Sequence, residues 1–297
     1  MIRLLAIGDA GDNTALRRAN MRTILRNRQS LLPPDGVLVL GDNFYDYGVS
    51  SERDPQWTTE FDSVFPDGLR YLAILGNHDY LGDPCAQVKR TFLPENTKWF
   101  MPHRYYHCNY TTNETSVDLF MLDTFSLSPT ESYTTSSSMQ MKSSKWNNYQ
   151  KTIPQDRILQ LDWLKTCLAE SKAQWKVVCG HYPIFSDGGH GNNRELQHSL
   201  LPIFQEYNVD LYLCGHDHNL QDIYSHGTRF LVCGSGSRYS YFIPYQSTAP
   251  VFATGIISLQ FTRNSCEYTF LSPNYDNNNI QTTAYKGVIQ ASTNRPV

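Results

Sequence analysis

No stretch of the chain reaches the roughly 18 to 20 consecutive apolar residues that a membrane span requires, so no membrane partner is expected. Charge of one sign is also lacking. Lys and Arg number 25 against 28 Asp and Glu, a net charge of −3 without basic clusters, and that removes the electrostatic footprint of a nucleic-acid or anionic-lipid surface. The seven cysteines have no Cys-x-x-Cys spacing, which argues against thiolate zinc sites and dithiol redox motifs. Cys179, Cys214 and Cys233 fall inside apolar runs, where a thiol packs as a small hydrophobe. One or two disulfides stay open if the chain is exported. Sequons at Asn109 and Asn113 carry little weight in a sequence this rich in Asn, Ser and Thr. The opening MIRLLAIGDAG lacks a basic segment, a long apolar core and a small-residue cleavage site, so no secretory leader is expected.

Short apolar, β-branched runs recur along the 297 residues: IRLLAIGD, VLVLGDN, YLAILGNHD, VDLFMLDT, WKVVCGHYP and VDLYLCGHDH. Their near-continuous apolarity predicts strands buried on both faces, as in α/β sheets. Between them, residues 156–171 place Ile158, Leu161, Leu164 and Leu168 at helical spacing, and residues 194–207 do the same with Leu196, Leu200, Ile203 and Phe204. Pro202 should kink or shorten that second helix. Residues 125–152, rich in Ser and Thr and without either period, read as an exposed loop long enough to be a lid. The last third reads as β-structure with turns. The whole, 1–297, is taken as one domain, with a core over about 3–270 and a polar tail, 271–297, lying on the surface.

Five of the apolar runs end alike, in glycine followed by polar side chains: IGDAG, LGDNFY, LGNHD, CGHYP and CGHDH. Burying such groups at a strand end costs free energy unless something pairs them. In open α/β sheets ligands bind at the carboxyl ends of strands, where glycine lets the backbone turn and the next side chains converge. Asp9, Asp42, Tyr45, Asn77, His181, His216 and His218 form a donor set of carboxylate, phenol, amide and imidazole, suited to Fe, Zn or Mn. Seven donors overfill one centre but suit two ions about 3.5 to 4 Å apart sharing a carboxylate. Singly, a Gly-Asp pair is usually a turn and a strand-end histidine a satisfied polar group; it is the recurrence that points to a metal pair.

The ordered blocks Gly-Asp, Gly-Asn-His-Asp, Gly-His and Gly-His-Asp-His resemble the metallophosphoesterase superfamily. The first block, Asp9-Ala10-Gly11, lacks the superfamily's usual histidine, and Tyr45 stands three residues after Asp42. The purple acid phosphatases depart in that same way. GDNFYDYGV, LGNHDYLG, FMLDT, GHYPIFS, the His-Gly pair at 190 and 191, and YLCGHDHNLQ resemble the small, mammalian-type tartrate-resistant branch. The resemblance covers roughly residues 3–270. It implies an α/β fold of two mixed β-sheets packed face to face and flanked by helices, the four-layer αββα calcineurin-like arrangement. It also implies acid phosphatase activity on phosphate monoesters, by attack of a metal-bound hydroxide at a dinuclear centre. Asp9, Asp42, Tyr45 and His218 would hold Fe(III), with Asp42 bridging; Asn77, His181 and His216 would hold a divalent ion, Fe(II), Zn or Mn. His78 and His190 match the branch's catalytic histidines. The 125–152 loop lies where the branch carries a segment whose proteolysis raises activity. A secretory or lysosomal place is implied if the chain is a trimmed mature form. A monomer is the default expectation.

Two other readings share much of this. A Mn- or Zn-dependent phosphodiesterase or protein phosphatase of the same superfamily would use most of the same ligands, but Tyr45 and the missing histidine after Asp9 count against it. A non-catalytic metal-binding protein would have broken donors, and none is broken here.

Overall fold

A computed structural model describes residues 1–130, 144–240, 245–249, 254–273 and 281–291, without the side chains of 144–153 and 281–284. Two mixed sheets form the centre. The first, in the order β13-β12-β11-β1-β2-β3-β4, combines β1 (Ile2–Ile7), β2 (Gly36–Leu40), β3 (Tyr71–Ile74) and β4 (Trp99–Phe100) with β11 (Ile256–Phe261), β12 (Ser265–Pro273) and β13 (Gln281–Gln290). Strands β1 to β4 run parallel and the last three antiparallel. The second sheet, β5-β6-β7-β8-β10-β9, contains β5 (Tyr106–Thr111), β6 (Ser116–Met121), β7 (Trp175–Cys179), β8 (Leu211–Cys214), β9 (Leu220–Ser225) and β10 (Thr228–Cys233). Its middle, β6-β7-β8-β10, is parallel.

Side chains from one sheet engage the other directly. Trp175 packs on Phe261 with ring centroids 5.7 Å apart. The Tyr106 hydroxyl donates to the Ala73 carbonyl at 2.9 Å, and the Gly8 N–H donates to the Cys233 carbonyl at 2.8 Å. Helices lie outside this pair. Helix α1 (Ala15–Arg28) is capped by the Thr14 side chain, and α2 (Pro84–Arg90) by Asp83; α3 (Thr124–Leu127) is a single buried turn. Helices α4 (Ser144–Glu170) and α5 (Arg194–Tyr207) are tied to β7, because Lys176 donates from Nζ to the carbonyls of Leu168 and Tyr207. The end of β2 in one sheet meets the turn after β7 in the other, where His181 Nδ1 lies 2.8 Å from the Leu40 carbonyl.

Several sequence expectations need correction. Residues 125–152 are not one exposed loop: Phe125 and Leu127 are buried in α3, α4 already begins at Ser144, and 131–143 lie outside the described residues. Pro202 does not shorten α5, which runs to Tyr207; the helix forfeits one backbone bond, and the buried Leu200, Ile203 and Phe204 hold it in place. On α4, Leu164 and Leu168 are buried as expected, but Ile158 is 56% exposed and the buried position one turn earlier is Gln160. That side chain accepts from the Asp123 N–H and donates to the Asp123 carbonyl. The polar tail is not simply laid on the surface, since β13 pairs antiparallel with β12 and alternates half-buried Tyr285 and Ile289 with exposed Lys286 and Val288. Cys108, Cys167, Cys179, Cys214, Cys233 and Cys266 are free thiols.

Candidate metal centre

The turns after β1, β2 and β8 bring Asp9, Asp42 and His216 into place with positive φ, 57°, 51° and 69°. Left-handed backbone is uncommon for such residues and clusters at sites where the surroundings enforce it. Gly41, at φ 86°, makes the turn before Asp42, and a Cβ there would sit 2.6 Å from His181 Nδ1. A Cβ on Gly76 would lie 2.2 Å from Asp42 Oδ1. The glycines thus let the loops close on one another while the donors turn inward.

Two groups of donors meet at Asp42. The Tyr45 hydroxyl lies 2.9 Å from Asp42 Oδ2, 3.1 Å from Asp9 Oδ1 and 3.2 Å from His218 Nε2, and His218 Nε2 is 3.4 Å from Asp9 Oδ1. On the other side His181 Nε2 lies 3.0 Å from Asn77 Oδ1 and 3.5 Å from Asp42 Oδ1. The His216 ring is centred 5.1 Å from that of His181. One donor atom each from Asp9, Asp42 and His181 fall within 4.8 Å of one another. All seven donors singled out in the sequence are therefore brought to one place, with Asp42 presenting an oxygen to each group.

The proton count in this cluster suits cations. His181 Nδ1 is 2.8 Å from the Leu40 carbonyl, which can only accept, so a neutral ring carries its proton there and turns the Nε2 lone pair toward the oxygens of Asn77 and Asp42. Likewise one phenolic proton faces two carboxylates and an imidazole. Lone pairs in such proximity repel unless a positive centre sits among them. Burial, then the Asp42 and Asp9 carboxylates, push the Tyr45 phenol well above its ordinary pKa. A bound cation would reverse that balance. Burial alone would raise the Asp42 carboxyl, but His181, His78 and His216 outweigh it and hold it below the usual range. Burial opposes protonation of His218, yet the Asp9 and Asp42 carboxylates raise its pKa.

His78 borders the first group. Its Nδ1 is 2.7 Å from the Asp46 carbonyl, its Nε2 is 4.0 Å from Asp42 Oδ2, and its ring meets Tyr45 edge-on at 4.5 Å. His190 borders the second, with its ring 3.8 Å from that of His216. Two anchoring carboxylates were not singled out in the sequence. Asp79, buried, accepts from the N–H groups of Asn43 and Gly76 and from Gln87; burial and the nearby Asp42 charge push it up to about 6. Asp217 accepts from the Ser186 hydroxyl and the His190 N–H. Each is the Asp of a His-Asp pair in the recurring blocks, and that adjacency was the available signal.

Residues 2–220 match the family described as calcineurin-like phosphoesterase. Among curated proteins, tartrate-resistant acid phosphatase type 5 of Mus musculus is 33% identical over 265 residues, covering 84% of this chain and 76% of that protein. The Homo sapiens protein of that name is 35% identical over 252 residues, 80% of this chain and 73% of the other. Purple acid phosphatase 7 of Arabidopsis thaliana is 33% identical over 243 residues, 80% and 70%. Among solved structures, GAP50, the anchor in the inner membrane complex of Plasmodium, superposes with a TM-score of 0.80 at 23% identity, covering 98% of this chain and 89% of that one. Purple acid phosphatase PPD1 from yellow lupin (Lupinus luteus) seeds gives 0.66 at 17%, covering 97% and 53%. At these identities the two structures share the fold.

Proposed function

The chain belongs to the calcineurin-like phosphoesterases and, within them, to the tartrate-resistant and purple acid phosphatases, and from that membership we propose that it is an acid phosphatase hydrolysing phosphate monoesters with a dinuclear Fe(III)/M(II) centre. The family implies a dinuclear metal centre. On our reading Asp9, Asp42, Tyr45 and His218 would hold Fe(III), and Asn77, His181 and His216, with Asp42, would hold Fe(II), Zn or Mn. The observation that carries this reading is the phenol of Tyr45 set against Asp9, Asp42 and His218, since that phenol stands in for the histidine missing after Asp9 and suits a trivalent, hard cation. When bound, such a pair supplies positive charge for the phosphate and lowers the pKa of water enough to yield a nucleophile in mild acid.

The chain's own groups supply the rest. With Nδ1 engaged by the Asp46 carbonyl, His78 directs its other nitrogen toward the donor cluster. There, as the imidazolium, it can donate a proton to the departing ester oxygen. His190, packed on His216, is the second candidate donor. The Asp79 and Asp217 anchors hold the loops carrying these rings, so orientation is fixed before substrate arrives. The products are an alcohol and inorganic phosphate. The substrate is read as a phosphate monoester acted on by a single chain, without nucleic-acid or membrane partners.

Hydrolysis of p-nitrophenyl phosphate and bis(p-nitrophenyl) phosphate across the pH range tests this assignment. The expected result is preference for the monoester with an optimum in the acid range. Faster diester turnover near neutrality would instead support the Mn- or Zn-dependent diesterase.

A further inference from the structure

We propose that the segment Ser237–Ser240, and Arg238 above all, is the positioning element of the Tyr45 half of the metal centre; this rests on the dinuclear reading above. Four residues after β10 reach every loop that carries a donor of that half. The Ser237 hydroxyl donates to the Asp9 carbonyl at 2.5 Å and accepts from the Asp12 N–H at 3.3 Å. The Thr14 hydroxyl donates to the Ser237 carbonyl. The Ser240 N–H donates to the His218 carbonyl at 2.7 Å. Between these, the Arg238 guanidinium lies over the Tyr45 ring with Cζ 4.1 Å from the centroid. Its edges are held by Asp12 at 3.0 Å and Asp46 at 2.9 Å.

The arrangement has a direction to it. A guanidinium is flat, permanently charged and hydrogen-bonds in a fixed fork. Asp12 and Asp46 set its plane, and the plane covers the tyrosine face by a cation–π contact. Ion pairs as exposed as these contribute little to stability, so the conspicuous consequence of the fork is where it puts the ring. The contacts of Ser237, Arg238 and Ser240 named above all go to the loops that carry Asp9, Tyr45 and His218. The brace therefore serves one half of the centre. Two acidic partners leave Arg238 without spare positive charge, which favours this role over anchoring a second substrate anion.

Arg238→Met removes the charge at similar length, Arg238→Lys keeps the charge without the fork, and Ser237→Ala loosens the Asp9 contact; far-UV circular dichroism confirms folding of each. Challenge of the metal-loaded protein with dipicolinate, followed by metal analysis, should show one metal per chain leaving roughly 10- to 100-fold faster in Arg238→Met. The second should leave at the wild-type rate, and Arg238→Lys should fall between. Two metals held as in wild type, or both released together, overturn the inference and leave the phosphatase reading standing. A wild-type protein that takes up no metal pair overturns both. In metal-free protein labelled with 3-fluorotyrosine, the Tyr45 fluorine resonance, assigned by its loss in Tyr45→Phe, should be single in wild type and should broaden or split in Arg238→Met. An unchanged resonance in that variant also overturns the inference.

Discussion

Asp42→Asn should reduce kcat for p-nitrophenyl phosphate by at least about a thousandfold, ~4 kcal/mol at 1.36 kcal/mol per decade, in a protein that still folds. Asparagine suits the test because it tolerates the left-handed backbone of position 42, φ 51°, and keeps an oxygen to accept from the His78 N–H, 2.9 Å away. What it loses is the second anionic oxygen. In this structure Oδ2 faces Tyr45 and Oδ1 faces His181, so the amide can serve one group and not both. Metal analysis of the variant should show fewer than two ions per chain. Activity within tenfold of wild type, with two ions retained, would mean that Asp42 is not the shared ligand.

Removing the His78 imidazole by His78→Ala should cost about a hundred- to ten-thousandfold in kcat, with the size of the loss set by the leaving group. An alkyl alkoxide needs a proton as it departs, whereas p-nitrophenolate leaves well without one. The fall should therefore be near the upper end for an alkyl phosphate and near the lower end for p-nitrophenyl phosphate. An equal loss on both substrates would place the acid elsewhere, His190 being the next group in line.

The strand ends were legible in the sequence for a physical reason. A strand buried on both faces must be apolar throughout, so the change to Gly-Asp or Gly-His is abrupt and marks where β1, β2, β3, β7 and β8 leave the sheets. Helix α5 was legible for the same kind of reason, as its buried Leu196, Leu200, Ile203 and Phe204 recur at helical spacing. Helix α1 was not, because its inner face is partly polar: Arg17 pairs with Glu60, and Asn20 donates to the carbonyls of Ser235 and Gly236. Strand β13 was hidden behind an Asn-rich run that reads as a tail. The seven donors stood in motifs and could be picked out, but Arg238 could not. Its partners Asp12 and Asp46 lie 226 and 192 positions away in sequence, and a lone arginine after a glycine-rich turn carries no pattern that announces a tyrosine beneath it.

The central claim is an iron(III) centre held in part by Tyr45, and the visible absorption spectrum of the purified, metal-analysed protein tests it most directly. A phenolate bound to iron(III) should give a broad band that colours the protein, with iron present in each chain, and Tyr45→Phe should abolish that band. A colourless wild-type protein carrying only zinc or manganese would contradict the account and return the diesterase reading to first place.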